Sequence, residues 1–226
     1  MQITTLSELT IDGKLSLGPG ASSKDLFAFY GDELKAWFHR QRSLHDAIMV
    51  GANTVRNDDP ELTVRYVKGK NPLRVVPTSK GLLPLDARIL NDGHPTLVVV
   101  SRAASAEALA SLKAKTNVEI ICCGEERVDL PELMKLLEMR NIQNLLVEGG
   151  SRLLHSLFEA EMVSRIIIKH IPVISGATSA PSYLQEETSR SRLKLSQWQI
   201  EQWFVMSGVG VSVYSPLNSV RGNAND

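Results

Sequence analysis

The sequence is poor in residues that form covalent or metal cross-links. Only two cysteines are present, Cys122 and Cys123, and they are adjacent at the end of an apolar run. This arrangement predicts buried thiols in a reducing compartment rather than a disulfide or a zinc site. The five histidines show no metal-ligand spacing, so no metal centre is expected.

An excess of one charge sign and long apolar runs are also missing. The 25 basic and 25 acidic residues cancel, which argues against a general nucleic-acid or membrane-surface binder but leaves room for a local basic pocket. No apolar run approaches the roughly 20 residues of a membrane-spanning helix. The chain becomes polar within its first few residues, so no signal peptide is expected. We therefore expect a cytoplasmic protein.

The sequence does contain an ordinary globular composition and a regular alternation of apolar patterns. Hydrophobic residues make up 43% and charged residues 22% of the 226 residues. Short β-branched runs predict strands, and stretches of helical periodicity separate them, so the strands should pair in parallel through right-handed crossovers. The pattern predicts strands at 2–9, 46–51, 73–79, 96–101, 118–123, 144–150 and 164–173, and helices at 23–42, 104–114, 131–140 and 151–161.

The pattern changes near the end of the chain. Residues 198–216 predict two strands around a turn at Ser207-Gly208, with no helix between them. We therefore predict one α/β domain over residues 1–217, with a mixed, mostly parallel sheet flanked by helices and a C-terminal antiparallel hairpin. The polar residues 218–226 are predicted to form a disordered tail.

The stretch "NLLVEGGSRLLHSLFEAE" combines a strand, two glycines and an amphipathic helix. Gly149 and Gly150 would let a backbone approach a ligand closely, and the helix beginning at Ser151 would offer free amides to a phosphate or pyrophosphate. A tight strand-to-helix turn that needs glycine torsions explains the same residues equally well. The stretch is not a G-x-G-x-x-G fingerprint, so a standard Rossmann dinucleotide site is not favoured.

The stretch "VGANTVRNDDPELTVR" also begins at a predicted strand end. Ligands of open α/β sheets collect beyond the carboxyl ends of the strands, where Thr54, Asp58, Asp59 and Arg65 could line a crevice. The alternative is that the two aspartates only cap and terminate a short helix before Pro60.

Two further strand ends pair a hydroxyl with a cation, as phosphate binding requires. These are Ser79 with Lys80 in "VVPTSKG" and Ser101 with Arg102 in "VVVSRA". Each is also compatible with a solvated loop.

Several motifs together resemble the pyrimidine reductases of riboflavin biosynthesis. They are "LTIDGKLSLGPGASS", "DAIMVGANTVRNDDPELTVR", "PLRVV", "PLDARIL" and "LLVEGGSRLLHSLFEAEMVSRIIIKHIPVISG", in the family's order over residues 3–176. The resemblance implies a dihydrofolate-reductase-like fold, usually a homodimer. It implies NADPH-dependent reduction of the ribosylamino side chain of a pyrimidine phosphate to ribitylamino. The chain resembles a free-standing reductase without the deaminase domain fused to bacterial relatives.

The resemblance also implies which residues contact the cofactor. Thr54 and Asp58 match family positions at the cofactor, and Ser79 lies near it. The glycine pair and the following helix start would hold the pyrophosphate through Gly149, Gly150, Ser151, Arg152 and Leu153. Lys80 and Arg102 are both candidates for the 2′-phosphate of NADPH, where charge-assisted hydrogen bonds are strong.

On the substrate side the resemblance implies Arg42, Leu62, Arg65 and Glu148, and Ser22 is assigned to the same pocket. Hydride transfer needs no protein nucleophile, because the cofactor carries that chemistry. An acid that assists sugar-ring opening would be useful, and Glu148 and Asp58 are both candidates.

Two departures from the family pattern leave the substrate open. Thr78 stands where many relatives have an aspartate, and the stretch 18–42 is longer than in the fused bacterial enzymes. The alternatives are another pterin-like or pyrimidine substrate with the same fold and cofactor, or a non-catalytic nucleotide-binding module.

Overall fold

The computed structural model describes residues 1–185 and 196–217, and within them nine strands form one sheet. In chain order, β1 to β9 are Gln2–Leu9, Ala47–Met49, Leu73–Pro77, Thr96–Val100, Val118–Cys122, Asn144–Glu148, Arg165–His170, Trp198–Met206 and Val209–Pro216. The spatial order is β5-β4-β3-β2-β6-β1-β7-β9-β8. Strands β1 to β7 run parallel, whereas β9 is antiparallel to both β7 and β8. The predicted mixed sheet with a C-terminal hairpin is confirmed. The predicted disordered tail, 218–226, lies outside the described residues.

Five α-helices occur in the described residues, namely α1 (Asp32–Ser43), α2 (Ala52–Asp58), α3 (Ala106–Lys113), α4 (Leu130–Met139) and α5 (Ser151–Glu159). Two short 3-10 helices cover Ser23–Phe29 and Arg88–Leu90. None of these helices is long and apolar enough to cross a bilayer.

The prediction of a single helix over 23–42 is wrong. The chain forms the 3-10 helix Ser23–Phe29, becomes extended at Tyr30 and Gly31, and begins again as α1. A Cβ on Gly31 would lie 2.5 Å from Oγ of Ser207, in the turn of the terminal hairpin. The break thus occurs where the backbone passes close to a distant turn, and helical periodicity carries no information about that contact.

Helices cover both faces of the sheet. Leu34 and Phe38 of α1 and Leu112 of α3 belong to one buried cluster, while Leu133 of α4 and Leu154 of α5 belong to the other. Each fully buried side chain of this size contributes about 1.5–3 kcal/mol relative to exposure. Because both faces are covered, the inner strands β2, β4 and β6 are nearly continuous apolar runs rather than alternating ones, as expected for a parallel sheet.

The order of the strands also determines the position of a crevice at one edge of the sheet. β2 and β6 are neighbours, and their carboxyl ends continue into Gly51 and Gly149. The following helices, α2 and α5, pack on opposite faces of the sheet through Val55 and Leu154. Connections that leave on opposite faces from adjacent strand ends create the gap where ligands of open α/β sheets bind.

The prediction of two buried cysteines is wrong for one of them. Cys123 is buried and its thiol donates to the carbonyl of Asp129 at 3.1 Å, whereas Cys122 is exposed. Burial raises the pKa of the Cys123 thiol to about 12. Adjacent residues of a strand point to opposite sides, so two neighbouring cysteines on an edge strand do not share one environment.

Candidate active site

A cleft of about 870 Å³ lies at the carboxyl ends of β1, β2, β3 and β6. Most residues singled out from the sequence line it. They are Arg42, Thr54, Asp58, Leu62, Arg65, Ser79, Lys80, Glu148, Gly149, Gly150, Ser151, Arg152 and Leu153. Ser22 and Arg102 are not among its lining residues.

The glycine turn, which we define as Gly149–Gly150 and the start of α5, has torsions that glycine favours. Its φ angles are 72° and 86°, in a region that other residues enter at a cost of about 1–2 kcal/mol. A Cβ on Gly149 would meet nothing within 4 Å, and one on Gly150 would lie 3.5 Å from Oγ1 of Thr54. The turn therefore requires glycine for its torsions and also leaves its backbone open to the cleft. The torsional explanation considered from the sequence therefore applies, and the close approach of a ligand stays a prediction that the open backbone permits.

Asp58 is held by three hydrogen bonds from the start of the 3-10 helix Ser23–Phe29, where Ser22 is the N-cap. Its carboxylate accepts from the Ser22 hydroxyl at 2.7 Å, the Ser23 amide at 3.1 Å and the Ser23 hydroxyl at 2.9 Å. Ser22 thus lies behind Asp58 and ties the start of this helix to α2. Asp59 ends α2 in a left-handed conformation, with φ of 38°, and accepts from the Arg88 amide at 2.8 Å. The helix-terminating role of the two aspartates is present, and Asp58 lines the cleft as well.

Arg42 and Glu148 form a bidentate ion pair in the cleft wall. Nε donates to Glu148 Oε1 at 2.8 Å and an Nη atom donates to Oε2 at 2.6 Å. The other Nη atom donates to the Thr63 carbonyl at 3.0 Å, and Arg42 is only 5% exposed. A guanidinium fork matches a carboxylate in this geometry and fixes its orientation. Three of the five guanidinium N–H groups are therefore engaged within the protein.

The loop after Pro60 is held against α1 by a histidine. The Arg65 amide donates to Nδ1 of His39 at 3.1 Å, which requires a neutral ring that carries its proton on Nε2. Burial, together with the charges of Arg42 and Arg65, lowers the pKa of His39 to about 3. The Arg65 side chain contacts Glu61 and Thr63 and remains 44% exposed. Its guanidinium is thus accessible from the cleft, although its backbone is fixed.

Leu62, in the same loop, is buried although its φ is 57°. A left-handed leucine costs on the order of 1–3 kcal/mol and persists only where the surrounding structure imposes it. The loop therefore presents Leu62 to the cleft in a conformation that local preference disfavours.

Lys80 and Arg102, the two cations considered for the 2′-phosphate of the cofactor, follow different strands, β3 and β4, and only Lys80 lines the cleft. Ser79 and Lys80 line the cleft, and the Ser79 hydroxyl accepts from the Val128 amide at 3.2 Å. Arg102 has a side chain that is 74% exposed and pairs with Glu125 at 3.3 Å, away from the cleft lining. Arg127, which the sequence reasoning missed, lines the cleft instead.

The sequence reasoning also missed a buried pair on β1 and β7. Glu8 lines the cleft, and Nζ of the fully buried Lys169 lies 2.7 Å from Glu8 Oε2. The signal was a single lysine inside the apolar run "RIIIKHIPV" and a glutamate in "TTLSELT". Charged residues at buried positions of a strand are almost always paired, so each should have prompted a search for a partner.

A family model described as the RibD C-terminal domain matches residues 2–203. The 2,5-diamino-6-ribosylamino-4(3H)-pyrimidinone 5′-phosphate reductase of Aquifex aeolicus is 36% identical over 220 residues, which cover 97% of this chain and 98% of that protein. A protein of the same name from Archaeoglobus fulgidus is 37% identical over 198 residues, covering 83% of this chain and 88% of that protein.

Two solved structures have the same fold. A pyrimidine reductase-like protein from Corynebacterium diphtheriae superposes with a TM-score of 0.79 at 17% identity, covering 96% of this chain and 92% of that chain. The riboflavin biosynthesis reductase Rib7 of Saccharomyces cerevisiae superposes with a TM-score of 0.66 at 21% identity, covering 95% and 89%.

Proposed function

The chain belongs to the RibD C-terminal domain family, as its motifs predict, and on that premise we propose that it is an NADPH-dependent reductase of riboflavin biosynthesis. Its substrate would be 2,5-diamino-6-ribosylamino-4(3H)-pyrimidinone 5′-phosphate, the compound in the names of the relatives that match most of its length. The observation that carries the proposal is a single cleft that combines the glycine turn with the Arg42–Glu148 pair and Arg65. One ligand could lie against backbone amides while another meets charged side chains.

On the cofactor side, the residues present fit a nicotinamide dinucleotide. The backbone of Gly149 has open space where a side chain would stand, and α5 begins immediately after the turn. A helix start of this kind suits a pyrophosphate. Lys80, which lines the cleft beside Ser79, is our candidate for the 2′-phosphate that distinguishes NADPH from NADH, and Thr54 supports the turn from α2.

On the substrate side, Arg65 is our candidate for the 5′-phosphate. Its guanidinium is partly exposed in the cleft, whereas that of Arg42 is largely engaged with Glu148. Arg42 would then act mainly by orienting Glu148, and Leu62 would provide the apolar contact beside them.

Reduction of the ribosylamino group requires proton transfers, and acidic side chains of the cleft could mediate them. Opening the ribosylamine ring moves a proton from the exocyclic nitrogen to the ring oxygen and leaves an imine at C1′. NADPH held at the glycine turn would supply the hydride for C1′, and the exocyclic nitrogen would then take up a proton. Our candidate for the proton transfer is Glu148 rather than Asp58, because Glu148 accepts two hydrogen bonds, both from Arg42, whereas the Asp58 carboxylate accepts three from Ser22 and Ser23.

We further infer a cytoplasmic homodimer. Both cysteines are free, which fits a reducing compartment. Strand β8 lies at one edge of the sheet, and the exposed fractions of its Ile200, Trp203 and Val205 are 59%, 57% and 67%. An exposed apolar edge strand is a natural surface for pairing with a second copy.

The test is NADPH oxidation, followed by absorbance, with the diamino ribosylamino pyrimidinone phosphate and separately with dihydrofolate. We expect turnover only with the first compound, and the product should carry a ribityl chain. Turnover of dihydrofolate alone would assign a different substrate to the same fold. NADPH binding without turnover of either compound would make the chain a nucleotide-binding module.

A further inference from the structure

The cleft has a second buried ion pair that the proposed chemistry does not use. Glu8 of β1 and Lys169 of β7 are register partners on adjacent parallel strands. Lys169 Nζ lies 2.7 Å from Glu8 Oε2, although the two atoms lack the alignment of a hydrogen bond. The Tyr30 hydroxyl donates to the same oxygen at 3.1 Å. One oxygen of Glu8 is thus held by two groups from the interior.

Stability offers little reason for such a pair. Removing two ions from water costs several kcal/mol each, and replacing a buried pair with apolar residues is often neutral or stabilising. Burial lowers the pKa of Lys169, and the Glu8 carboxylate opposes that shift. Burial and the neighbouring charge of Glu8 raise the pKa of Tyr30, so its hydroxyl remains a donor. The pair is better explained by a task at the cleft.

The two oxygens of Glu8 are not equivalent. Oε2 is the closest Glu8 atom to Lys169 Nζ and accepts from Tyr30, whereas no residue that the structure describes donates a hydrogen bond to Oε1. The Glu8 side chain is 14% exposed and lines the cleft. Among the described residues, Oε1 is not one of the fully buried polar atoms without a partner, so it is accessible to a donor in the cleft.

Glu8 also lies near the other carboxylate of the wall. The Phe38 ring contacts the cations of both pairs, with its centroid 3.9 Å from Lys169 Nζ and 4.6 Å from Arg42 Cζ. We call Glu8, Arg42, Glu148 and Lys169 the ion-pair wall. Both of its carboxylates line the cleft, and ionised carboxylates only accept hydrogen bonds. This wall therefore suits a part of a ligand that is rich in donors, such as amino and hydroxyl groups, and disfavours a phosphate.

We propose that Glu8 is a substrate-binding residue whose Oε1 accepts a hydrogen bond from an amino or hydroxyl group of the substrate, while Lys169 and Tyr30 hold Oε2. The inference rests on the proposed function, because that substrate carries amino groups on its pyrimidine and hydroxyls on its ribose. Glu8 would then distinguish this substrate from compounds that place an acceptor at the same point.

The experiment separates substrate contact from structural support by comparing Glu8→Leu, which removes the acceptor, with the double variant Glu8→Leu/Lys169→Met. Glu8→Leu alone leaves Lys169 buried without a counter-charge and is expected to unfold at lower urea. The double variant removes both charges and should regain stability. KM, the directly measured substrate Kd and the NADPH Kd are determined for wild type and every variant that folds. Glu138→Gln is the control, because Glu138 is 48% exposed on α4, outside the cleft lining.

We expect the double variant to unfold like wild type and to bind NADPH normally, but to raise KM and substrate Kd at least tenfold. Wild-type KM and Kd in a stable double variant would overturn the inference and make the pair purely structural. Absence of turnover by wild type would overturn the proposed function instead.

Repeating the series with the deaminated substrate, which has a carbonyl in place of the 2-amino group, identifies the donor. A larger loss for the diamino compound supports contact with the 2-amino group, and an equal loss supports contact with the 5-amino group or a hydroxyl, which both compounds retain. No loss with either compound overturns the inference.

Discussion

The glycine turn uses backbone torsions to shape its side of the cleft, whereas the ion-pair wall uses charged side chains that meet across the sheet. Gly149 and Gly150 are neighbours in the chain, and their open backbone depends on their own φ angles. Glu8 and Lys169 are far apart in the chain and meet only because β1 pairs with β7. The comparison predicts that substitutions in the local glycine turn change affinity at small cost to the fold, whereas substitutions in the nonlocal ion-pair wall change stability and binding together.

Arg42→Met should break the ion-pair wall most severely, because it leaves the largely buried Glu148 carboxylate without its cation. Loss of one partner of a buried pair costs roughly 3–5 kcal/mol, so the urea midpoint should fall sharply and turnover should disappear. The double variant Arg42→Met/Glu148→Leu should regain much of the stability but none of the turnover. If Arg42→Met is as stable as wild type, water must already solvate the Glu148 carboxylate in the folded protein.

In the glycine turn, Gly149→Ala should weaken NADPH binding by more than its loss of stability explains. Its φ of 72° makes alanine strained, at a cost of about 1–2 kcal/mol of unfolding free energy. Gly93 is a matched control, because its φ is 78° and an added Cβ meets nothing within 4 Å, as at Gly149. Both variants should lose similar stability, but only Gly149→Ala should weaken NADPH binding, measured by fluorescence titration. Equal NADPH affinities would remove the glycine turn from the cofactor site.

Lys80→Ala tests whether Lys80 binds the 2′-phosphate of NADPH. Loss of one charge-assisted hydrogen bond, about 1.5 kcal/mol, would reduce NADPH affinity roughly tenfold and leave NADH affinity unchanged. Arg102→Ala is the comparison, because its exposed pair with Glu125 lies outside the cleft lining. A selective loss in Arg102→Ala instead would move the 2′-phosphate to the neighbouring strand end.

Mild acidification should lower the free energy of unfolding through His39, which holds the loop after Pro60 on the substrate side of the cleft. Its folded-state pKa of about 3 lies below the ordinary value of 6.5. The unfolded chain therefore binds more protons below pH 6.5, and the stability contribution is present above that pH and is lost as pH falls toward 3. Between pH 7 and 5.5 the loss is roughly 1 kcal/mol, measured by urea unfolding. His45 and His170, whose pKa values are lowered by burial, act in the same direction. His39→Gln should flatten the slope, and an unchanged slope would assign the pH dependence to the other two histidines.

The strands and the hairpin were predictable because their signals are local. Apolar runs with β-branched residues mark β2, β3, β4 and β6, and the Ser207-Gly208 turn marks the hairpin. Most predicted site residues also line the cleft, since strand ends in a parallel sheet meet at one edge. Arg102 does not, although it too follows a strand end, because its side chain turns to solvent and Glu125.

By itself, the sequence determined the sheet class, the strand positions, the glycine turn and the family, because β-branched apolar runs, glycine torsions and motif order are properties of short segments. Only the tertiary structure decided the break at Gly31, the Arg42–Glu148 and Glu8–Lys169 pairs, and that Lys80 rather than Arg102 lines the cleft. Each of these depends on a contact between distant segments. The partner of a buried charge is set by strand register and helix placement, which no local pattern encodes.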